Sequence, residues 1–463
     1  MKSIIYTLLF SYVILAGLTI YFFDGTGDAG DSIQHYLFAR YAPVHPELFF
    51  HHWAKPLYVL LSSPFAQFGF TGIKIFNAFV SFTTIFLTYK ICTELNFKNS
   101  IIVVVILIFT PLYYILTFSG LTEPLFALFI SAGIYAVLKE KYTIGCLIIS
   151  FLPFVRSEGL IIIGVFAFYL LLKKKWKFLP LLLSGHLTYS FAGYFVYHDF
   201  FWVFNKIPYA NMSSQYGSGT LYEFAEQLIY VIGVPLYILF WLGIVSIIWK
   251  SIKKEISFEL QILVFLGFIS YFSAHSFFWY LGIFNSMGLK RVMLGVMPLM
   301  AIIALQGFNF IIENIFEKYK NLKLVISGSL IIYIIIFPFT DNPAAVQWKR
   351  DMHLSIDQQC ALQTADFIIQ NKGKNHRFVF MHPYLSEALK IDCFDIHKKI
   401  DLTSAGANQF KQGDIIIWDC WFAVVEGGVT QAQLDSNSNL RIIYNGNFAG
   451  SNKKNIFSVY EYK

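Results

Sequence analysis

The sequence predicts an α-helical polytopic membrane protein of about eleven transmembrane helices, followed by a small C-terminal α/β domain. Three observations carry this expectation. Of 463 residues, 56% are apolar and only 14% charged, against about 45–50% and 25% in ordinary soluble domains. Apolar runs of roughly 20 residues, the length that crosses a bilayer, recur along the first 340 positions. Composition then changes sharply, and the last 123 residues have soluble patterning. Together these exclude a soluble enzyme, a disordered tail protein and a fibrous repeat. Aromatic residues at 19% suit lipid-facing helices and interfacial belts.

The candidate spans lie near 3–23, 71–92, 101–118, 121–138, 143–156, 158–172, 177–197, 227–249, 258–281, 292–311 and 322–340. The first is longer than a signal-peptide core and has no small-x-small cleavage site after it, so it reads as a retained helix. With the N-terminus cytoplasmic, alternate loops place Lys2, Lys90, Lys98, Lys139, Lys141, Lys173, Lys174, Lys175, Lys177, Lys250, Lys253, Lys254, Lys318, Lys320 and Lys323 inside. The opposite loops hold only Arg40, Lys55, Lys74, Arg156, Lys206, Lys290 and Arg291. Fifteen cations against seven is the positive-inside asymmetry. The formal net charge of +7 is therefore a topology signal, not a nucleic-acid footprint. The residue usage suggests a bacterial inner membrane, with the C-terminus outside.

Two stretches depart from short loops. Residues 24–70 form a first external loop, in which 51–68 read as an amphipathic or re-entrant piece lying along the interface. Residues 341–463 form the external domain, after a transmembrane domain over 1–340. Apolar positions at Leu354, Ala361, Leu362, Ala365, Ile368 and Ile369, ended by Gly373, predict a helix. Strands are expected at 376–381, 414–419, 440–445 and 455–462. The segment 413–428 carries Trp418, Asp419, Trp421 and Glu426, which suit either sugar contact or a seam with the membrane.

Ionisable groups near membrane depth are costly and mark function by default. Here Asp24, Asp28, Asp31, Glu47, Glu123, Arg156, Glu158, Lys290 and Arg291 all fall on the external ends of the spans. In GDAGDSIQHYLFARY (27–41), Asp28 and Asp31 are three apart, and Asp31, His35 and Tyr36 lie on one face if the segment is helical. Two such carboxylates suit a divalent cation (Mg or Mn), or a base with its orienting partner. Helix capping is the alternative. Glu123 in Thr122-Glu123-Pro124 fits a helix start or a site equally well. Arg156 and Glu158 either brace an external turn or line a cavity. Lys290 and Arg291 sit at an external helix start against the charge bias, where they suit a phosphate better than interfacial snorkelling.

His35, His45, His51 and His52 crowd the first loop without zinc-ligand spacing. Among Cys360, Cys393 and Cys420 one external disulfide is conceivable, while Cys92 and Cys146 read as core. No phosphate-loop or dinucleotide glycine motif is present. The NMS sequon at 211–213 falls in an external loop.

In four places the chain resembles the GT-C superfamily of polytopic glycosyltransferases. The acidic loop GDAGDSIQHYLFAR follows the first helix; TEPLF at 122–126 opens a later one; RSEG at 156–159 is similar to that group's R-x-E-G turn; and KRVMLGVMP at 290–298 is similar to its basic, proline-terminated element. The resemblance covers about residues 1–340 and implies a GT-C-like fold with a polyprenyl-phosphate-linked sugar as donor, a mannose-like hexose or a pentose. The acceptor would be a lipid, glycan or protein approached from the external side. It further implies that Asp31 or Asp28 is the loop carboxylate that activates the acceptor or binds a metal. Lys290, Arg291 and Arg156 would lie at the donor phosphate, with Glu158, Glu123, His35, Tyr36 and Lys55 around the substrate cavity. DAGD departs from the carboxylate patterns of the O-mannosyl and oligosaccharyl branches. A multi-pass transporter and a non-catalytic polysaccharide or glycolipid assembly protein are the competing classes. A transporter is disfavoured because the charges crowd one end rather than the midplane, with no repeated halves.

Overall fold

The computed structural model describes residues 2–210, 212–315, 320–404, 409–448 and 455–463. The sequon residue Asn211 and Lys318 lie outside the described residues, as do the side chains of Lys2 and Lys320. Among the described residues, six helices are long and apolar enough to cross a membrane: Ser3–Phe22, Gly69–Glu94, Val234–Ile252, Leu260–Leu281, Lys290–Glu313 and Asn321–Phe339. The other apolar runs are helical but shorter or broken. The run expected over 101–118 divides into Ile102–Ile108 and Pro111–Thr117. Pro111 starts the second piece because it cannot donate back into the first and steers Thr110 to an extended conformation.

Burial orders the bundle. Every residue from Met297 to Asn309 is buried, so this helix is its axis. Val234–Ile252 packs against it at very close range. A Cβ added to Gly243 would lie 1.9 Å from the Ile303 carbonyl, and one added to Gly307 would lie 1.9 Å from that of Leu239. Such close backbone approach is how helices gain contact in lipid, where apolar side chains feel no drive to leave their solvent. The first helix exposes Phe10, Tyr21 and Phe22, and the last exposes Leu324 and Val325. Those faces suit acyl chains.

The first loop folds as helix Asp31–Tyr41, a single turn at Pro46–Phe50 and helix Pro56–Ala66. The expected interfacial piece is thus helical over its second half only, with Tyr58 and Val59 buried and Leu60 and Leu61 exposed.

Past the bundle, helix Ile356–Asn371 is started by a capping box in which Ser355 and Gln358 exchange bonds with each other's backbone. The sheet comprises β1 (Phe378–Val379), β2 (Lys399–Ile400), β3 (Ile415–Asp419), β4 (Leu440–Phe448) and β5 (Asn455–Tyr462), in the order β2-β1-β3-β5-β4. β1 pairs parallel with β2 and β3, while β5 runs antiparallel to β3 and β4, with Ile416 opposite Tyr460. Alternation divides the strands between two cores. Phe378, Ile415 and Ile417 pack with helix residues Ala361 and Ile368, while Val379, Ile416 and Trp418 pack on the other face. No disulfide joins Cys360, Cys393 and Cys420 among the described residues.

The sheet is bound to the first loop. Tyr36 donates to Glu387 at 3.0 Å, Tyr41 to the Ile391 carbonyl at 2.9 Å, and the Gly25 amide to the Met352 carbonyl at 2.8 Å. At Gly25 a Cβ would meet the Met352 carbonyl carbon at 2.5 Å, so this seam requires glycine.

Candidate functional site

A cavity of about 960 Å³ opens where the sheet meets the bundle. Its floor is built by a non-helical segment at 118–122 that must satisfy its backbone inside the protein. Asn77 donates to the carbonyls of Ser119 at 2.6 Å and Leu121 at 3.0 Å, and the Gly120 amide donates to Ser32 Oγ at 2.7 Å. These bonds fix Glu123 at the start of its helix and bring the start of helix Asp31–Tyr41 against it.

Arg291 and Arg156 run through the floor between carboxylates. Arg291 donates to Asp28 at 2.5 Å and to Asp31 through its other terminal nitrogen, and its Nε lies 3.8 Å from Glu123. Arg156 contacts Glu123 at 2.9 Å, Glu158 at 3.0 Å and Thr122 at 3.2 Å. His275, the one histidine within its span, lies 3.6 Å from Glu158. Glu123 Oε2, Arg156 Nε, Arg291 Nε and His275 Nε2 are buried without a hydrogen-bond partner. Buried polar atoms normally have partners, so these four, unpartnered among the described residues, mark the floor as the candidate site.

The two loop carboxylates have separate tasks. Asp28 Oδ1 accepts the amides of Gly30 at 2.8 Å and Ser32 at 3.3 Å, so Asp28 shapes the turn into helix Asp31–Tyr41. Asp31 is at the first position of that helix; its Oδ2 meets Arg291, and its Oδ1 has no protein partner among the described residues. The pair does not fit a divalent cation. One guanidinium already engages both carboxylates, and among the described residues no three His, Cys, Asp or Glu side chains gather as a ligand set.

Lys55 enters from the side on a left-handed backbone (φ 66°) and donates to Ser157 Oγ at 2.9 Å. It makes no ion pair among the described residues. Burial, reinforced by Arg156 and only partly offset by Glu158 and Asp31, lowers its ammonium to about 8. Beside it His35 stacks on Trp53 with ring centroids 5.0 Å apart and contacts the Ala54 carbonyl at 3.2 Å. Burial, then Lys55, Arg291 and Arg156, push that imidazole down to about 3, so it is neutral at physiological pH.

The roof comes from the sheet, which contributes Phe380, Lys399, Asp401, Phe422 and Glu426. Glu426 keeps part of its surface open, yet burial around it and the charges of Asp31 and Asp419 push its carboxyl up to about 7. Trp418 and Asp419 are instead structural: Trp418 donates to the Val429 carbonyl, and Asp419 accepts the amides of Trp421, Phe422 and Ala423.

The residues singled out by sequence do not all meet here. Asp31, Arg291, Arg156, Glu158, Glu123, His35 and Lys55 line the one cavity. Asp28 reaches it through Arg291 while lining a second pocket behind the loop. Tyr36 is buried on the opposite face of its helix, bonded to Arg40 and Glu387. A neighbour one position from His35 is turned by about 100° around a helix, which carries Tyr36 away. Lys290 also departs from Arg291, lying over the Tyr230 ring at 5.2 Å in the second pocket. His275 and Lys399 were not anticipated; the sequence signal for His275 was a lone imidazole within an apolar span.

No family profile and no curated protein sequence matches this chain. Its structure, however, is similar to the crystal structure of ArnT from Cupriavidus metallidurans bound to undecaprenyl phosphate, with a TM-score of 0.65. The match covers 99% of this chain and 98% of the other at 10% identity. The chain has an ArnT-like GT-C fold. The likeness to ArnT runs through the bundle and the C-terminal sheet alike, and at that identity it speaks for the fold alone.

Proposed function

We propose that this protein is a membrane glycosyltransferase of cell-envelope glycan biosynthesis. It would move a sugar from a polyprenyl-phosphate donor, a mannose-like hexose or a pentose, to a lipid, glycan or protein acceptor. The observation that carries the reading is the pairing, in one cavity of an ArnT-like fold, of a carboxylate with an open oxygen (Asp31) and a part-buried ammonium that makes no ion pair among the described residues (Lys55). ArnT itself was crystallised with undecaprenyl phosphate, a ligand of the class that Lys55 would receive. The excess of cations on the opposite loops supports an external site, with residues 1–340 as the membrane domain and 341–463 as the extracytoplasmic one.

In this reading Lys55 and Arg156 meet the donor phosphate, and Arg291 holds Asp31 in place. Asp31 Oδ1 takes the proton of the acceptor hydroxyl. The acceptor oxygen then bonds to the anomeric carbon as the bond from that carbon to the phosphate oxygen breaks. The leaving electron pair stays on the phosphate, where the two cations stabilise it. A single displacement of a monophosphoryl donor inverts the anomeric carbon. The roof of Phe380, Phe422 and Glu426 keeps water from competing.

The test is transfer by the purified protein in lipid, with radiolabelled mannosyl, glucosyl and arabinosyl polyprenyl phosphates and crude membrane acceptors. Label appearing in the acceptor supports the proposal. Failure of every donor to bind overturns it.

A further inference from the structure

Lys290 and Arg291 are adjacent in sequence but serve different pockets. Arg291 faces the large cavity, whereas Lys290 enters a pocket of about 280 Å³ behind the first loop. The first loop walls it with Thr26, Gly27, Asp28 and Ala29, the bundle with Pro111, Leu112, Ile115, Tyr230 and Lys290, and the segment that leads to the sheet with residues from Pro343 to Gln358. The last segment supplies a second cation, Arg350.

The charges of this pocket are unevenly matched. Its carboxylates are already engaged: Asp28 by Arg291 at 2.5 Å, and Asp351 by Arg350 Nε at 2.8 Å and the Gln347 amide at 3.0 Å. His353 is turned to Asp24 at 2.8 Å. Lys290 makes no ion pair among the described residues, and its ammonium rests on the π-face of Tyr230. Cation–π contact at such a distance is worth only about 0.5–2 kcal/mol, less than a charge-assisted bond to an anion. Arg350 commits Nε to Asp351, which leaves its terminal nitrogens for a further acceptor. The volume lies at the small end of ligand pockets, roughly 300–1,000 Å³, enough for a phosphate with a small headgroup.

We propose that this pocket is a second anion site, separate from the reaction cavity, in which Lys290 and Arg350 bind a phosphate group. The phosphate belongs either to an anionic phospholipid headgroup or to free phosphate. Asp28 forms the wall between the two pockets, bonded on one side to Arg291 and on the other exposed to the site. Thr26 donates to the Asp28 carbonyl at 2.8 Å and receives Gln358 at 2.9 Å, so the same loop ties the site to the segment that leads into the sheet. An occupant would therefore brace the joint between bundle, loop and sheet. This inference does not depend on the transferase reading.

The experiment measures anion binding by the full-length protein and by Lys290→Ala, Arg350→Ala and Lys349→Ala. One arm counts phosphatidylglycerol retained by native mass spectrometry from nanodiscs. The other titrates inorganic phosphate in phosphatidylcholine nanodiscs. Binding in either arm should fall at least about tenfold in Lys290→Ala and in Arg350→Ala, since a hydrogen bond to a charged group is worth about 1.5–3 kcal/mol. Lys349→Ala, which removes a neighbouring exposed cation that lines neither pocket, should stay within about twofold of the unmodified protein. The arm that binds names the source of the phosphate. Arg350 is on the surface, with its side chain 77% exposed, so that variant tests the site even if Lys290→Ala folds poorly. Binding unchanged in both variants overturns the site, and so does an equal loss in Lys349→Ala. Loss of sugar transfer with this pattern intact would fault the transferase reading only.

Discussion

Arg291 joins Asp31 across 260 positions of sequence, and with its other terminal nitrogen it holds Asp28. A single guanidinium thus fixes the first loop to the axial helix at the floor of the cavity. It also faces Glu123, and all four groups lie near the end of the bundle where the sheet docks.

Removing that guanidinium leaves several carboxylates without their cation. Asp28 and Asp31 keep 28% and 45% of their side-chain surface exposed, so Arg291→Ala should cost less than the about 3–5 kcal/mol of a fully buried pair but more than about 1 kcal/mol in chemical denaturation in detergent. Arg291→Lys should lose less but not recover fully, because an ammonium cannot serve two carboxylates in a fixed fork. A loss below about 1 kcal/mol in Arg291→Ala, the range of a surface pair, would contradict the arrangement.

Asp28 separates by substitution into a turn-former and a charge. Asp28→Ala removes the acceptor of the Gly30 and Ser32 amides and should cost about 0.5–1.5 kcal/mol for each lost hydrogen bond. Asp28→Asn keeps an oxygen there and should be the more stable of the two. Thermal melts of the pair decide the matter; equal melting points would mean that only the charge counts.

Lys55 carries a pH dependence with a definite sign. Its ammonium is lowered to about 8 by burial, so it is charged at pH 7 and loses its proton as pH rises through 8. Affinity for a polyprenyl-phosphate donor should therefore fall as pH goes from 7 to 9. Lys55→Arg, always charged, should remove most of that slope, and Lys55→Ala should bind weakly throughout. Donor binding measured across this range in all three proteins checks the sign.

Helix contact at Gly307 predicts an effect remote from the site. A Cβ there would sit 1.9 Å from the Leu239 carbonyl, which is backbone and cannot rotate away. Gly307→Ala should push Val234–Ile252 off the axial helix and cost about 1–3 kcal/mol, the scale of overpacking. Gly328→Ala, where a Cβ would have open space around it, is the control and should leave the melting temperature unchanged.

Much of this was legible in the sequence because hydropathy and loop charge act over long windows. Six of the about eleven expected spans, the helix at Ile356–Asn371 and four of the five strands fall where the patterning puts them among the described residues. β2 was missed because a strand of two residues, Lys399–Ile400, has no period to read and is held by its pairing with β1. The grouping of acidic and basic residues at one end was visible; their partnerships were not. Which of Lys290 and Arg291 faces the cavity is decided by the turn of the helix start, and which of Asp28 and Asp31 is open is decided by two backbone amides. The roof residue Glu426 meets Asp31 only because β3 and the turn after it carry that side chain back over the loop.

In the proposed transferase, Asp31 is the base that drives sugar transfer in this cavity. Single-turnover transfer with saturating labelled donor, by the full-length protein and by Asp31→Asn, measures it most directly. Asp31→Asn should be slower by about 10²–10⁴-fold, the usual worth of a positioned base, with donor affinity little changed and a melting temperature lowered less than in Arg291→Ala, because Arg291 keeps Asp28. Transfer by Asp31→Asn at the unmodified rate would contradict it.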